Sequence, residues 1–261
     1  MRNEQIDYGI GGRIVIVTGA GKGIGRETSI QFAKLGASVA LVGRNLSSVK
    51  ETEAEIHAFG GEATAYECDV ASEGSVNDVV DDVFRKHGRI DILVNNAGIE
   101  ADREEGQMGG DVLMQTPLDE YKRVLGTNLI GHYNFMRAAI PHMVGQHFGR
   151  IVNITSCTAY TGAVGTAAYV ASKAGAIAQT KAFARQFGPD NILINSVAPG
   201  MVDTPMHDKT PKEMFAGVAG ITPLRRIAQP IDIARAVLFL SQEDLFITGE
   251  TIIPDGGVSM R

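Results

Sequence analysis

The sequence predicts an α/β fold: a single domain over residues 1–261, built as a doubly wound parallel sheet of about seven strands flanked by helices. Three observations carry this. Short runs rich in Val and Ile recur with little polar alternation, as strands buried on both faces do. Amphipathic stretches of helix length separate them, and that alternation argues for parallel βαβ units. The first apolar run also passes directly into a glycine-rich turn that opens a helix.

The elements follow in order. The first strand, Arg13–Val17, leads into Thr18-Gly19-Ala20-Gly21-Lys22-Gly23-Ile24-Gly25 and a helix over Ile24–Leu35. Glycines there let the backbone turn tightly and approach a pyrophosphate, and the helix N-terminus offers free N–H groups and partial positive charge. This context makes the sheet Rossmann-type. A second strand, Ser38–Val42, ends at Gly43-Arg44-Asn45. An acid at that place would bind a ribose 2′-hydroxyl and repel a 2′-phosphate. Here Arg44 offers a planar fork that matches phosphate, and Lys22 adds a second cation, so NADP is expected over NAD.

Helix Leu46–Phe59 and strand Ala63–Cys68 come next, followed by Asp69-Val70. Asp69 is suited either to accept a hydrogen bond from an adenine amino group or to cap a turn. Helix Glu73–His87 precedes strand Ile90–Val94, which runs into Asn95-Asn96-Ala97-Gly98. Paired amides tie neighbouring backbone together, and the small Ala97 and Gly98 leave room for a nucleotide. Gly36, Gly60 and Gly88 each follow a helix where a left-handed cap belongs. A long helix, Leu118–Val144, starts just after Pro117. The remaining elements are strand Arg150–Thr155, helix Thr166–Phe187, strand Ile192–Val197, helix Ile231–Leu240 and strand Thr251–Ile253. Two segments, Ile99–Gln115 and Met201–Pro223, fit the alternation poorly. Both follow strands, and in open α/β sheets ligands bind beyond the strands' carboxyl ends.

Tyr169 and Lys173 stand four apart in a helical pattern and so share a face. Ser156 closes the fifth strand, thirteen positions before Tyr169. Taken with the TGxxxGxG turn, Asn95-Asn96-Ala97-Gly98, Pro199-Gly200 and Asp255-Gly256-Gly257, in that order, the chain resembles the short-chain dehydrogenase/reductase family nearly end to end. The resemblance implies that Tyr169 is the acid/base and that Lys173 binds the nicotinamide ribose and lowers the tyrosine pKa. It implies that Ser156 bonds the carbonyl oxygen and that Asn128 holds a relay water. It also places Pro199, Gly200, Val202 and Thr204 along the cofactor, with Thr204 on the carboxamide, and implies a homotetramer.

Composition narrows the rest. With a net charge of −6 and no basic run, the chain is a poor candidate for nucleic acid or anionic membrane. Two cysteines, Cys68 and Cys157, make no disulfide framework, and Cys157 has no local histidine to activate it. No metal is expected, since no His/Cys cluster has zinc spacing. The polar first residues, Met1–Gln5, and the lack of a spanning apolar run set the expectation of a cytoplasmic protein.

The substrate stays open among several readings: a neutral carbonyl compound or secondary alcohol, a 3-oxoacyl carrier protein, or a hydroxysteroid, sugar or polyol. A non-catalytic NADP sensor is the rival from another class. Carrier proteins are acidic and need basic residues at the cleft mouth. The relevant places here read His147-Phe148-Gly149-Arg150 and Gly188-Pro189-Asp190, and Glu100, Asp102, Glu104 and Glu105 add negative charge. The cleft wall is expected from Tyr160, Val164, Met201, Val202, Met206, Met214, Phe215 and Val218, an adaptable apolar surface.

Overall fold

Seven strands pair in parallel in the order β3-β2-β1-β4-β5-β6-β7. They are β1 (Ile14–Thr18), β2 (Ser38–Gly43), β3 (Glu62–Glu67), β4 (Ile92–Asn95), β5 (Gly149–Ile154), β6 (Ile192–Val197) and β7 (Thr251–Ile252). The structure is a computed structural model and describes residues 8–101, 116–163, 167–208 and 210–260. The strand order reverses between β1 and β4, which opens a crevice at the carboxyl end of the sheet.

Alternating strand residues serve two helical layers. Val15 and Val17 face α1 (Gly23–Lys34), α2 (Leu46–Ala58) and α9 (Pro230–Leu240). Ile14 and Ile16 face α3 (Glu73–His87), α5 (Gly131–Gly145) and α7 (Ala167–Phe187). Phe32 and Phe135 anchor the two sides without exposure; each contributes about 1.5–3 kcal/mol by burial. Caps fix the helix ends that face the crevice. The Asn45 side chain accepts from Ser48 N at 3.2 Å at the start of α2. Ser72 caps α3, which closes on Gly88 in the left-handed region. Gly36 and Gly60 also have positive φ just past their helices.

The expected long helix is interrupted. It runs as α4 (Leu118–Leu125), a π-helical turn (Gly126–Ile130) and α5, with Gly131 N bonded to Gly126 O. Pro117 stands one residue outside α4, as its N-cap. Two short helices appear where loops were expected: α6 (Thr158–Thr161) and α8 (Lys212–Ile221). Beneath the crevice a polar row crosses the sheet in register, Asn95 beside Asn153 beside Ser196. Asn95 Nδ2 donates to Asn153 Oδ1 at 2.9 Å and Asn153 Nδ2 to Thr180 Oγ1 at 2.9 Å. Thr180 Oγ1 lies 2.8 Å from Ser196 Oγ.

Candidate active site

The glycine turn joins β1 to α1 and is held by side chains from distant strands. Thr18 Oγ1 accepts both Asn96 N and Ala97 N at 2.9 Å, and Asn96 Nδ2 donates to Thr18 O at 2.8 Å. Asn96 therefore braces the turn from behind. Gly19 and Gly23 have positive φ, of 68° and 56°. A Cβ on Gly25 would collide with Gly19 O and Asn96 Nδ2, and one on Gly21 with Ser48 Oγ. Glycine is thus needed to close the turn against its supports. Ile24 turns back into the core, leaving the α1 N-terminus and its N–H groups at the crevice.

Around this turn sit the other residues expected to touch a cofactor. Lys22 and Arg44 are both exposed, and neither makes an ion pair among the described residues. Asp69 uses Oδ1 to accept Ala71 N at 3.0 Å, so it does cap a turn. Val70 is buried under Gly131, and its carbonyl accepts Asn134 Nδ2 at 3.0 Å. Thr204 packs its Cγ2 toward Gly23, 3.3 Å from where a Cβ would stand. Pro199 O accepts Cys157 N at 2.9 Å, and Gly200 lies tight against Asp255.

Val202 departs from its expected place in the cleft wall. Its backbone bridges to Ala228 and its side chain joins the core, because this strand-like pairing turns it inward. Val164 and residues 102–115 lie outside the described residues.

The second cluster gathers at the ends of β4 and β5. Ser156, two residues past β5, is buried; its Oγ accepts Thr158 N at 3.2 Å and lies within hydrogen-bond reach of the Tyr169 hydroxyl. Lys173, one helical turn beyond Tyr169, is 2% exposed, and its Nζ donates to Ile154 O at 2.8 Å. That Nζ also stands 5.6 Å from the Tyr169 ring centre. Asn128, carried by the π-helical turn, clasps the strand end: its Oδ1 accepts Ile99 N and its Nδ2 donates to Ile99 O, both at 2.8 Å. Asn128 Nδ2 also reaches Ser172 Oγ at 3.1 Å. Gly98 keeps the space between them; a Cβ there would stand 3.2 Å from Lys173 Nζ and 3.6 Å from Asn128 Oδ1.

Burial, with a smaller contribution from the Glu100 carboxylate, raises the Tyr169 pKa well above the usual phenol value, and the Ser156 hydrogen bond only partly opposes it. The Lys173 ammonium donates to the Ile154 carbonyl and is not among the groups that shift the phenol. Burial lowers Lys173 itself to about 8. Burial also raises the Cys157 thiol, which disfavours the nucleophilic thiolate.

Sequence reasoning did not single out two participants: Ser172, which orients Asn128, and His132, fully buried beside Ala97; Glu100 it named only as part of an acidic stretch, not as a neighbour of Tyr169. The signal for His132 was its spacing, four residues past Asn128 on the same chain of helices. Among the described residues no group could hold a metal ion, and no helix is long and apolar enough to cross a membrane.

A dinucleotide crevice topped by a Ser–Tyr–Lys cluster is the arrangement of a nicotinamide-dependent oxidoreductase, and the chain belongs to the short-chain dehydrogenase/reductase family. A family profile described as enoyl-(acyl carrier protein) reductase matches residues 19–259. The chain is 35% identical over 248 residues to the 3-oxoacyl-[acyl-carrier-protein] reductase FabG of Thermotoga maritima, covering 95% of this chain and 98% of that one. It is 34% identical to the (2S)-[(R)-hydroxy(phenyl)methyl]succinyl-CoA dehydrogenase subunit BbsD of Thauera aromatica, covering 97% and 98%. Among solved structures, a short-chain type dehydrogenase/reductase from Mycobacterium marinum superposes with a TM-score of 0.88 at 30% identity, covering 97% of each chain. A Beutenbergia cavernae protein, provisionally assigned as an NAD(P)-dependent gluconate 5-dehydrogenase and carrying NADP at low occupancy, gives 0.89 at 32% identity, covering 97% and 99%. The chain is therefore an oxidoreductase acting on carbonyl or alcohol groups with a nicotinamide cofactor.

Proposed function

We propose that this enzyme uses NADP and reduces a neutral ketone to a secondary alcohol, with Tyr169, Ser156, Lys173 and Asn128 as its working side chains. The observation that carries the reading is the meeting of Ser156, Tyr169 and Lys173 at the open carboxyl end of the sheet, beside Gly98. The glycine turn and the α1 N-terminus would hold the pyrophosphate, with Thr18, Gly19, Gly21, Gly23, Ile24 and Gly25 shaping the cradle. Arg44 and Lys22, exposed and free of ion pairs, suit a 2′-phosphate. Asp69 keeps Oδ2 for the adenine, and Val70, Asn96, Ala97, Gly98, Pro199, Gly200, Val202 and Thr204 line the path of the nucleotide by backbone or side chain. When bound, the reduced nicotinamide supplies the hydride.

The protein's part is to place and protonate. The Ser156 hydroxyl polarises the carbonyl oxygen, and the Tyr169 hydroxyl gives that oxygen its proton as alkoxide character develops. Burial raises the phenol, so Tyr169 holds its proton for the acid role. Lys173 holds the ribose, and Asn128 fixes the Ile99 backbone beneath it.

Charge selects the substrate. Glu100 acts on the Tyr169 hydroxyl electrostatically and opposes an anion there. Where a carrier protein would seek cations, the surface has His147 and a half-exposed Asp190. Met214, Phe215 and Val218 form a half-buried stripe on α8, suited to an apolar body. A homotetramer accords with the exposed apolar side chains of Ile221, Leu224, Phe246 and Met260. The test compares kcat/KM for cyclic and aromatic ketones, free sugars and a 3-oxoacyl carrier protein, each with NADPH and NADH. The reading expects neutral ketones with NADPH to lead; a tenfold advantage for the carrier-bound substrate, in line with the relatives' names, would replace it.

A further inference from the structure

We propose that His132 and the side-chain oxygen of Asn95 hold an ordered internal water behind the Ala97–Gly98 backbone, and that through this water His132 is a positioning residue for Lys173. The inference rests on the role given to Lys173 above.

His132 is 1% exposed, yet neither ring nitrogen makes a hydrogen bond of normal geometry among the described residues. Asn95 Oδ1 is likewise buried and unmatched. The two belong to one place, since Asn95 Nδ2 donates to His132 O at 3.4 Å. Buried polar atoms left unmatched are costly unless water joins them, and a buried water characteristically makes about three bonds, here to one His132 ring nitrogen, to Asn95 Oδ1 and to one further group.

The spot lies behind the catalytic cluster. The Ala97 carbonyl is near enough to favour a proton on the imidazole, and the Lys173 ammonium acts on the ring as a like charge. Burial, the largest influence, holds His132 to a pKa of about 3, so the ring is neutral at physiological pH. A neutral imidazole has one donor and one acceptor nitrogen. With the donor toward Ala97 O, the acceptor is left for the water, and the water can in turn accept from Lys173. Lys173 has room for such an acceptor: of its three N–H donors one goes to Ile154 O, and with one given to the ribose a third remains. A water fixed from behind would hold the ammonium's donors in a defined direction. No other side chain on this face of α5 can do so, because its neighbours Phe135, Met136 and Ala139 are apolar.

Two measurements test this. A high-resolution crystal structure of the full-length protein is expected to show a water about 2.7–3.2 Å from a His132 ring nitrogen and from Asn95 Oδ1; a dry site overturns the proposal, whatever Lys173 does. In steady-state kinetics, His132→Phe should lower kcat about tenfold with KM for the ketone nearly unchanged, the loss expected for one hydrogen bond serving a charged group. His132→Gln, which keeps an acceptor, should recover most of that loss. Full activity in His132→Phe, or a Gln variant that is folded and as slow as Phe, would assign His132 to packing alone. A water that is present while both variants keep full kcat would reject the positioning role and leave the reading of Lys173 to its own test.

Discussion

At the amino ends of the strands, Asp91 is fully buried and thoroughly matched. Arg89 Nε donates to both its oxygens at 3.0 and 2.9 Å, Arg13 reaches Oδ1 at 3.3 Å, and Ile14 N donates to Oδ2 at 2.9 Å. Nearby Arg150 donates Nε to Gln242 O at 2.9 Å and Nη1 to Gly149 O and Asn191 O at 2.8 and 3.0 Å. The Phe148 ring lies between the Arg13 and Arg150 guanidiniums, 4.2 and 4.3 Å away. At the carboxyl ends Lys173 and His132 are as deeply buried and Tyr169 partly so, but matching is poorer: burial raises Tyr169 and lowers Lys173, and neither His132 ring nitrogen has a hydrogen bond of normal geometry. Both ends place ionisable groups out of water. Where partners are complete the group anchors the fold; where they are incomplete its chemistry is available to something that binds.

Four changes test that contrast, in falling order of effect. Asp91→Ala should destabilise the protein by about 3–5 kcal/mol, because it strands Ile14 N and two guanidiniums. Chemical denaturation measures this, and kcat per folded molecule should not change. Tyr169→Phe is the converse: kcat should fall by about 100-fold or more, with the denaturation midpoint unmoved and NADP binding retained. A change in stability comparable to that of Asp91→Ala would erase the distinction between the two ends.

The third change is in pH. His132 binds a proton when unfolded, with an ordinary pKa of 6.5, but in the folded protein only near 3. Between those values the unfolded state holds more protons, so stability is complete above 6.5 and falls as pH drops through the window. From pH 7 to pH 5 this amounts to about 2 kcal/mol, and His132→Gln should remove that part of the acid sensitivity. The smallest effect is expected at the surface of the crevice. Arg44→Ala should cut the preference for NADPH over NADH by about tenfold, as loss of a charge-assisted contact predicts. Gly43 is a poorer place for this test, since a Cβ there would stand 2.7 Å from Val49 Cγ2.

The amino acid pattern revealed the parts whose causes are local. Strands such as Ile14–Thr18 are apolar on both faces, and Tyr169 and Lys173 meet through simple helical spacing. The glycine turn was legible for the same reason. What depends on distant partners was not. Asn96 ties backbone together as its amide suggested, but its partner, Thr18, lies 78 residues away and could not be read from the sequence. Asp69 left two roles open until its contact with Ala71 was seen. Helix α8 lies in the Met201–Pro223 segment, which fits the strand–helix alternation poorly, and Asn128 finds its partners, Ile99 and Ser172, on other elements. His132 looked like one more helical residue because nothing in its own neighbourhood reports what lies across from it.

The π-helical turn has a consequence for how this chain can vary. Each residue advances an α-helix by about 100°, so removing one between Gly126 and Ile130 would swing α5 by that amount relative to α4. Asn128 faces Ile99 only if α4 sets its direction, whereas Phe135, Met136 and Met143 face the sheet only if α5 sets theirs. One uninterrupted helix cannot satisfy both phases. The inserted residue lets the clasp and the apolar stripe keep separate orientations, so outside Asn128 this stretch should accept substitutions of side chain far more readily than any change of length.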